Sequence, residues 1–211
     1  MKNLLTRIAK YILGLFVVTL GIALSKLSFF GVSPVSAIPL TMEILCGIKI
    51  GISTIIFQSY LLLLQIVILR KKFKFINLLQ LPVCICFGFM TDLSVELVSY
   101  LPFIEMFFVR IAMTFIGGIL IAIGLALYVP ANLFPMPSEG FIKTISDVYK
   151  CNFSNIKIIF DCTVVAISAA LCLIFTKSFG SIGLGTVFLA IFVGIINKLV
   201  VKLFKKIKII K

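Results

Sequence analysis

Asp161 is the residue most able to do chemistry in this sequence, because its carboxylate lies inside a long apolar run. It is about nine residues, or about 13 Å of helical rise, into the predicted span 153–175. An ionisable group at that depth is costly and suggests a function, so Asp161 is a candidate to bind a solute or couple its transport. Lys157, one turn earlier, provides the alternative of a structural ion pair. Both hypotheses stay open at this point.

A second polar residue, Gln58, is related to Asp161 by a duplication of the sequence. Residues 7–24 recur as residues 110–127 with seven identities in eighteen positions, at an offset of 103. The same offset places residues 158–161 on residues 55–58. Such a repeat predicts two similar structural units. Gln58 and Asp161 are therefore candidates for one shared central site, and the alternative for Gln58 is a hydrogen bond that holds two helices together.

Four further polar residues are weaker candidates for contacts with a solute. Thr91 and Asn197, each three residues after a glycine, are expected to match across the repeats. Ser36 and Glu139 lie at the starts of two predicted short helices, where exposed amides could face an anionic group. Small and polar residues in membrane helices more often serve helix packing, and Glu139 would itself repel an anion.

Several kinds of chemistry are not expected. The chain has no His, which removes the usual ligand for zinc and haem and the usual side chain for proton relays. Its six cysteines lack a C-x-x-C spacing and are expected to pack as small core residues. No nucleophile stands beside a base, and no phosphate-binding loop of the G-x-x-x-x-G-K-[ST] kind occurs. We therefore expect neither an enzyme nor a cofactor.

The composition predicts an integral membrane protein. Apolar residues make up 62% of the chain and the mean hydropathy is +1.26. The net charge of +13 is concentrated near the membrane ends, above all in a tail with six lysines, so a lipid surface and not a nucleic acid is the expected partner. The first apolar run is too long for a signal peptide and recurs in mid-chain, so it is a retained span. The predicted spans, with Pro82 as a tolerated kink in the third, are 11–30, 50–69, 76–98, 106–129, 153–175 and 180–203.

A short helix is predicted after the first span of each half. The segment Pro34–Cys46 can extend only about 20 Å, which is less than the roughly 30 Å of hydrocarbon, so it should lie in the interface or enter and return. The segment 134–150 is amphipathic, with Ser138 on its polar side and Val148 on its apolar side, and is expected to rest at the membrane surface.

The distribution of basic residues predicts the topology. With six spans and cytoplasmic termini, 16 of the 20 Lys and Arg residues lie inside; eight spans would place the cluster 70–74 outside. Three spans per half is an odd number, so the second half must be inverted. The predicted fold class is an all-α polytopic membrane protein whose six transmembrane helices form two inverted three-helix repeats, each with a short re-entrant or interfacial helix. The repeats span 1–98 and 106–211, joined by an outer linker at 99–105, and secondary transporters place their sites between such repeats.

The order of short motifs resembles the bacterial YczE/YyaS/YitT-like integral membrane proteins. In that family a helix ending in G-x-A-L precedes a G-x-S/G-P segment, another helix and a third helix with a glycine near its end, and the set is repeated once. Here the matching residues are 21–24, 31–34, 88–92, 124–127, Pro137, Asp161 and Gly194. The sequence departs from the family at Val35 and Ser36, where Trp-Asp is frequent, and at 134–136, where a glycine is usual. The resemblance implies a multi-pass protein of the bacterial cell membrane.

Two classes of function are compatible with these features. The first is a small-solute transporter, or a substrate-capture membrane subunit that needs an energising partner protein. The alternative is a non-transporting protein that regulates or scaffolds a partner through its basic tail and the cluster 70–74. A shared cavity lined by Gln58 and Asp161 would favour transport, whereas packing of both against neighbouring helices, with Asp161 tied to Lys157, would favour the scaffold.

Overall fold

Apolar runs of transmembrane length form helices because a chain in lipid must satisfy its backbone polar groups internally. The computed structural model describes residues 2–100, 106–178, 180 and 182–206. Within these residues the chain forms eight α-helices and three short 3-10 segments, and no β-strand. The α-helices are α1 (Lys2–Leu27), α2 (Pro34–Cys46), α3 (Ile50–Leu69), α4 (Gln80–Ser99), α5 (Phe107–Tyr128), α6 (Pro137–Tyr149), α7 (Phe153–Thr176) and α8 (Leu184–Lys206). The all-α class is confirmed.

Six helices in the described part of the chain are long and apolar enough to cross a membrane, namely α1, α3, α4, α5, α7 and α8. The two short helices, α2 and α6, follow the first span of each half as predicted. α1 is longer than predicted, because the charged residues before Tyr11 continue the helix back to Lys2. Most of the predicted outer linker (residues 101–105) and the end of the basic tail (207–211) lie outside the described residues.

Pro82 lies inside the apolar helical stretch Phe75–Ser99, close to the start of α4. A 3-10 segment, Phe75–Leu79, precedes α4, and the α-helix itself begins only at Gln80. Pro82 therefore lies in the first turn, where backbone N–H groups have no acceptor within the helix. A proline in that turn removes no intrahelical hydrogen bond, which is why α4 continues without a break to Ser99.

The chain divides into two compact units, and each unit draws on both halves of the sequence. Unit 1 comprises Met1–Ser33, Met90–Leu133 and Ile182–Lys211, and unit 2 comprises Pro34–Phe89 and Phe134–Ser181. α4 passes from unit 2 into unit 1. The compact units therefore differ from the two halves predicted as repeats, which are defined by sequence equivalence.

The centre of unit 1 is the antiparallel pair of α1 and α5. A Cβ atom added at Gly21 would lie 2.6 Å from the carbonyl oxygen of Gly117, and one added at Gly124 would lie 2.6 Å from that of Gly14. Only glycine allows the two backbones to approach this closely. Because the later glycine of α1 meets the earlier glycine of α5, the two helices run in opposite directions.

Two arginines hold the ends of this helix pair in the same way. Arg7 donates from Nε and Nη2 to the carbonyl oxygens of residues 131 and 132, at 3.0 and 2.9 Å. Arg110 donates from the same two atoms to the carbonyl oxygens of residues 28 and 29, at 2.7 and 3.0 Å. Both arginines and both carbonyl pairs are related by the sequence offset of 103. Each guanidinium thus satisfies carbonyls beyond the C-terminal end of the other helix, where a positive charge is favoured.

α8 joins unit 1 through the segment that follows α1. The carbonyl oxygen of Phe30 accepts the Gly185 N–H at 2.9 Å, and Thr186 Oγ1 accepts the Val32 N–H at 3.2 Å. A Cβ at Gly185 would lie 2.7 Å from the Phe30 carbonyl oxygen, so a larger residue would be excluded there. Glycine at the start of α8 thus allows this close contact.

In unit 2 each short helix packs against a long helix from the other half of the sequence. α2 contacts α7 and α3, whereas α6 contacts α3 and α7. The side of α6 that is buried includes Ser138, Gly140 and Thr144, while Val148 is exposed. Burial follows the predicted sides only in part, because Ile142 is buried and Lys143 is exposed as expected, whereas Ser138 and Val148 are reversed. The N-terminal half of α6 is packed within unit 2, because its small residues fit against α3.

Candidate functional site

The side chain of Gln58, in the middle of the long helix α3, binds the first turn of the short helix α6. Gln58 is the ninth residue of α3 and is 2% exposed. Its Oε1 accepts the backbone N–H of Ser138 at 2.9 Å, and its Nε2 donates to Ser138 Oγ at 3.4 Å. Ser138 is the second residue of α6, so its N–H has no acceptor within that helix. Met136, the residue that precedes α6, makes no side-chain hydrogen bond to the start of the helix, so Gln58 supplies the cap.

Two more buried amides complete this contact. Gln65, seven residues after Gln58 on the same face of α3, donates from Nε2 to the Pro137 carbonyl oxygen at 2.9 Å and to Gln80 Oε1 at 3.3 Å. A Cβ atom at Gly140 would lie 2.8 Å from Gln65 Oε1 and 2.9 Å from Gln80 Oε1. The lack of a side chain at Gly140 makes room for both amides. Sequence reasoning missed Gln65 and Gln80; the seven-residue spacing from Gln58 was the available signal for Gln65.

Asp161 occupies in α7 the position that Gln58 occupies in α3, the ninth residue of the helix. Its Oδ2 accepts from Lys157 Nζ at 2.9 Å, and the exposed fractions of the two side chains are 19% and 44%. The ion pair predicted as the structural alternative is thus present. The other carboxylate oxygen, Oδ1, is buried and has no hydrogen-bond partner among the residues that the structure describes.

Ser168 is a second buried polar residue on α7, and sequence reasoning missed it. It follows Asp161 by seven residues, as Gln65 follows Gln58, and it is completely buried. Its Oγ is likewise without a hydrogen-bond partner in the described part of the chain. Val164 and Cys172 are buried on the same face, and Cys172 Sγ lies 3.7 Å from Thr41 Oγ1 of α2. The face of α7 that carries Asp161 and Ser168 is therefore the one that packs against α2.

The two equivalent contacts differ in how their polar groups are satisfied. In the pair α3 and α6, the side chains of Gln58 and Gln65 are hydrogen-bonded to the start of α6. In the pair α7 and α2, the equivalent residues Asp161 and Ser168 each keep one buried oxygen without a described partner. An ionised carboxylate oxygen can only accept a hydrogen bond, and a hydroxyl can also donate one. We call this stretch of α7, with Asp161, Val164 and Ser168, the α7 polar face.

The remaining predicted site residues are divided between the two units. Ser36 is buried in α2, and Glu139 is half-buried in α6, so both belong to unit 2 with Gln58 and Asp161. Thr91 is fully buried in α4, and Asn197 of α8 donates to the Ala122 carbonyl oxygen at 3.0 Å. Thr91 and Asn197 belong to unit 1. The hydrogen bond of Asn197 is the helix-packing contact that the sequence offered as its alternative role.

An all-helical chain with six long apolar helices is a multi-pass membrane protein. The chain belongs to the family of unknown function DUF6198, whose sequence pattern matches residues 5–202. It is also 27% identical over 177 residues to the uncharacterized protein YyaS of Bacillus subtilis (strain 168), an alignment that covers 83% of each chain. The resemblance to YyaS-like proteins is thereby confirmed. No solved structure matches this chain.

Proposed function

We propose that this protein is a small-solute transporter, or the substrate-capture membrane subunit of one, in the bacterial cell membrane with both termini in the cytoplasm. Its site would be the α7 polar face in unit 2, which α2 covers. α2 comes from the first half of the sequence and α7 from the second, so the site lies between the proposed repeats. Short helices at equivalent positions of two repeats are the usual surroundings of a transporter site.

The proposal includes two inverted three-span repeats, and contacts within each unit support this arrangement. In unit 1, α1 and α5 are antiparallel, and Arg7 and Arg110 make equivalent hydrogen bonds in opposite directions. In unit 2, α2 packs on α7 as α6 packs on α3, which is the exchange of partners that a pseudo-twofold relation requires. The distribution of basic residues favours six spans, and three spans in each half place the second half in the inverted orientation.

The observation that carries the proposal is the pair of buried oxygens on α7. Burying a polar atom without a hydrogen bond is unfavourable, and an ionisable residue at membrane depth adds to that cost. The equivalent residues of α3 avoid the cost by binding α6. Asp161 Oδ1 and Ser168 Oγ stay buried without a hydrogen bond, and this is best explained by a solute that binds to them. The binding of Gln58 to α6 and the pairing of Asp161 with Lys157 are the contacts expected of the scaffold alternative, but that alternative gives these two buried oxygens no role.

Transport is tested with the purified full-length protein in liposomes. A panel of labelled small solutes is screened first for thermal stabilisation of the protein and then for uptake. We expect uptake of at least one stabilising solute, and we expect Asp161→Asn to abolish it while the protein stays folded. Asp147→Asn, at an exposed carboxylate of α6, is the matched control and should leave uptake unchanged. If no solute is taken up and Asp161→Asn changes thermal stability alone, the protein is a scaffold or regulator.

A further inference from the structure

We propose that the α7 polar face binds a short aliphatic solute with a protonated amine at one end and an uncharged polar group at the other. The amine would bind Asp161 and the polar group would bind Ser168. This inference rests on the proposed function, to which it adds the chemical class of the substrate.

The charge of Asp161 indicates the first end of the solute. Its Oδ2 already binds an ammonium group, Lys157 Nζ at 2.9 Å, and its Oδ1 requires a further donor. A protonated amine supplies both a donor and a compensating charge, whereas a carboxylate or phosphate would be repelled. The Lys157 side chain is 44% exposed, so it can move to the membrane surface when another ammonium group takes its place. Lys157 thus competes with the amine for the charge of the Asp161 carboxylate.

The distance to Ser168 sets the length of the solute. Seven residues of helix separate Asp161 from Ser168, which corresponds to about 10 Å along the axis. With a hydrogen bond of about 3 Å at each end, the two polar groups of the solute would be about 4 Å apart if both bonds lie along the axis and up to about 10 Å apart if both are perpendicular to it. The Ser168 hydroxyl can donate and accept, so it suits a hydroxyl or amide and offers no charge to a second ion.

The residue between the two polar groups indicates an apolar middle. Val164 is buried on the same face, between Asp161 and Ser168, so a chain of methylene groups fits there better than a polar one. Beyond Ser168, Cys172 is in contact with Thr41 of α2, and the described part of α7 offers no further buried oxygen without a partner. The solute is therefore limited to the length between Asp161 and Ser168. The equivalent face of α3 offers no such site, since its amides already bind α6.

The test uses 5-aminopentan-1-ol as the probe, with pentane-1,5-diol and 5-hydroxypentanoate as neutral and anionic probes of equal length. Binding to the purified full-length protein in lipid nanodiscs is measured by calorimetry and by thermal stabilisation. We expect the amino alcohol to bind, the diol to bind at least about tenfold more weakly, and the anion not to bind, because a charged hydrogen bond is lost. Absence of amino alcohol binding at up to about 10 mM overturns the proposal.

Three variants assign the two ends of the probe. Asp161→Asn should weaken binding of the amino alcohol at least about tenfold, and Lys157→Gln should strengthen it by removing the competitor. Ser168→Ala should weaken binding of the amino alcohol but not of pentan-1-amine, and should not lower the melting temperature, because it removes a buried hydroxyl without a described partner. Lys143→Gln and Asp147→Asn, at exposed residues of α6, should leave binding unchanged. Equal binding of diol and amino alcohol, or no effect of Asp161→Asn, overturns the proposal.

Uptake of the same probes into liposomes separates this inference from the proposed function. Binding of the amino alcohol without uptake would support the proposed binding site and would contradict transport by the purified chain alone. Uptake of other solutes that does not depend on Asp161 would support transport and would contradict the proposed binding site on α7. Uptake of the amino alcohol that is lost with Asp161→Asn supports both.

Discussion

Gln58 and Asp161 occupy the same position of two long helices but are bound in different ways. Gln58 accepts the backbone N–H of Ser138 at the start of α6, whereas Asp161 accepts from Lys157 of its own helix. The amide of Gln58 is therefore part of the packing between two helices. The carboxylate of Asp161 has instead a partner that can leave, because Lys157 is close to half exposed.

Removing either partner of the ion pair should have unequal effects on stability. Asp161→Asn leaves Lys157, which can reach the membrane surface, so we expect a loss of about 1 kcal/mol or less. Lys157→Gln leaves a largely buried carboxylate without its counter-ion and should cost about 2 kcal/mol. Thermal unfolding in detergent measures both, and the double variant should be close to Asp161→Asn alone. A double variant that is stable and fully active in uptake would remove Asp161 from the site.

Gln58→Leu should destabilise unit 2 without changing the charge of the protein. The substitution leaves the Ser138 N–H and hydroxyl without the partners they have in α3, which costs about 1 to 3 kcal/mol. Ile56→Leu, at an exposed position of the same helix, is the control and should be neutral. Equal melting temperatures for the two variants would show that Gln58 does not cap α6.

Two glycines on different helices should respond oppositely to alanine. Gly140→Ala places a Cβ atom 2.8 Å from Gln65 Oε1, so the amide pair must move and we expect a loss of about 1 to 3 kcal/mol. Gly194→Ala meets no atom within 4 Å, so it should be neutral or stabilise α8 by up to about 1 kcal/mol. The difference between the two melting temperatures is the measurement. Similar shifts would contradict the tight contact at Gly140.

Arg7 and Arg110 should contribute equally to the stability of unit 1. Replacing either by leucine removes two hydrogen bonds to carbonyl oxygens, and because these contacts are partly exposed we expect a loss of about 1 kcal/mol for each. Lysine should restore only part of the loss, since it lacks the paired donors of a guanidinium. Unequal losses, measured by thermal unfolding, would argue against equivalent roles for the two residues.

The orientation in the membrane is tested by labelling introduced cysteines in a variant without native cysteines. Positions Ser99 and Lys177 should react with an impermeant thiol reagent added outside the cell, and positions Lys72 and Lys150 should not. If all four positions react only after the cells are opened, Ser99 and Lys177 face the cytoplasm, contrary to the prediction. Labelling of position 72 in intact cells would support eight spans.

The sequence alone determined the helices and their equivalence. Transmembrane length, turn residues and the offset of 103 predicted the six long helices and the short helix that begins at Pro34, because these features depend on local composition and spacing. The same information placed Gln58 and Asp161 at equivalent positions. It also predicted the Lys157 and Asp161 ion pair, since residues four apart on a helix are neighbours.

Only the tertiary structure decided which polar groups are satisfied. Hydrogen bonding of Gln58 to Ser138 and of Gln65 to Pro137 depends on how α6 packs on α3, and the bonded residues are more than 70 positions apart. The sequence did not distinguish Ser168 from the other small residues of its apolar helix, because the burial of Ser168 depends on tertiary packing. The burial of Ser138 and the exposure of Val148 in α6 were mispredicted, because the side that a helix buries depends on its neighbours, which a local pattern does not contain.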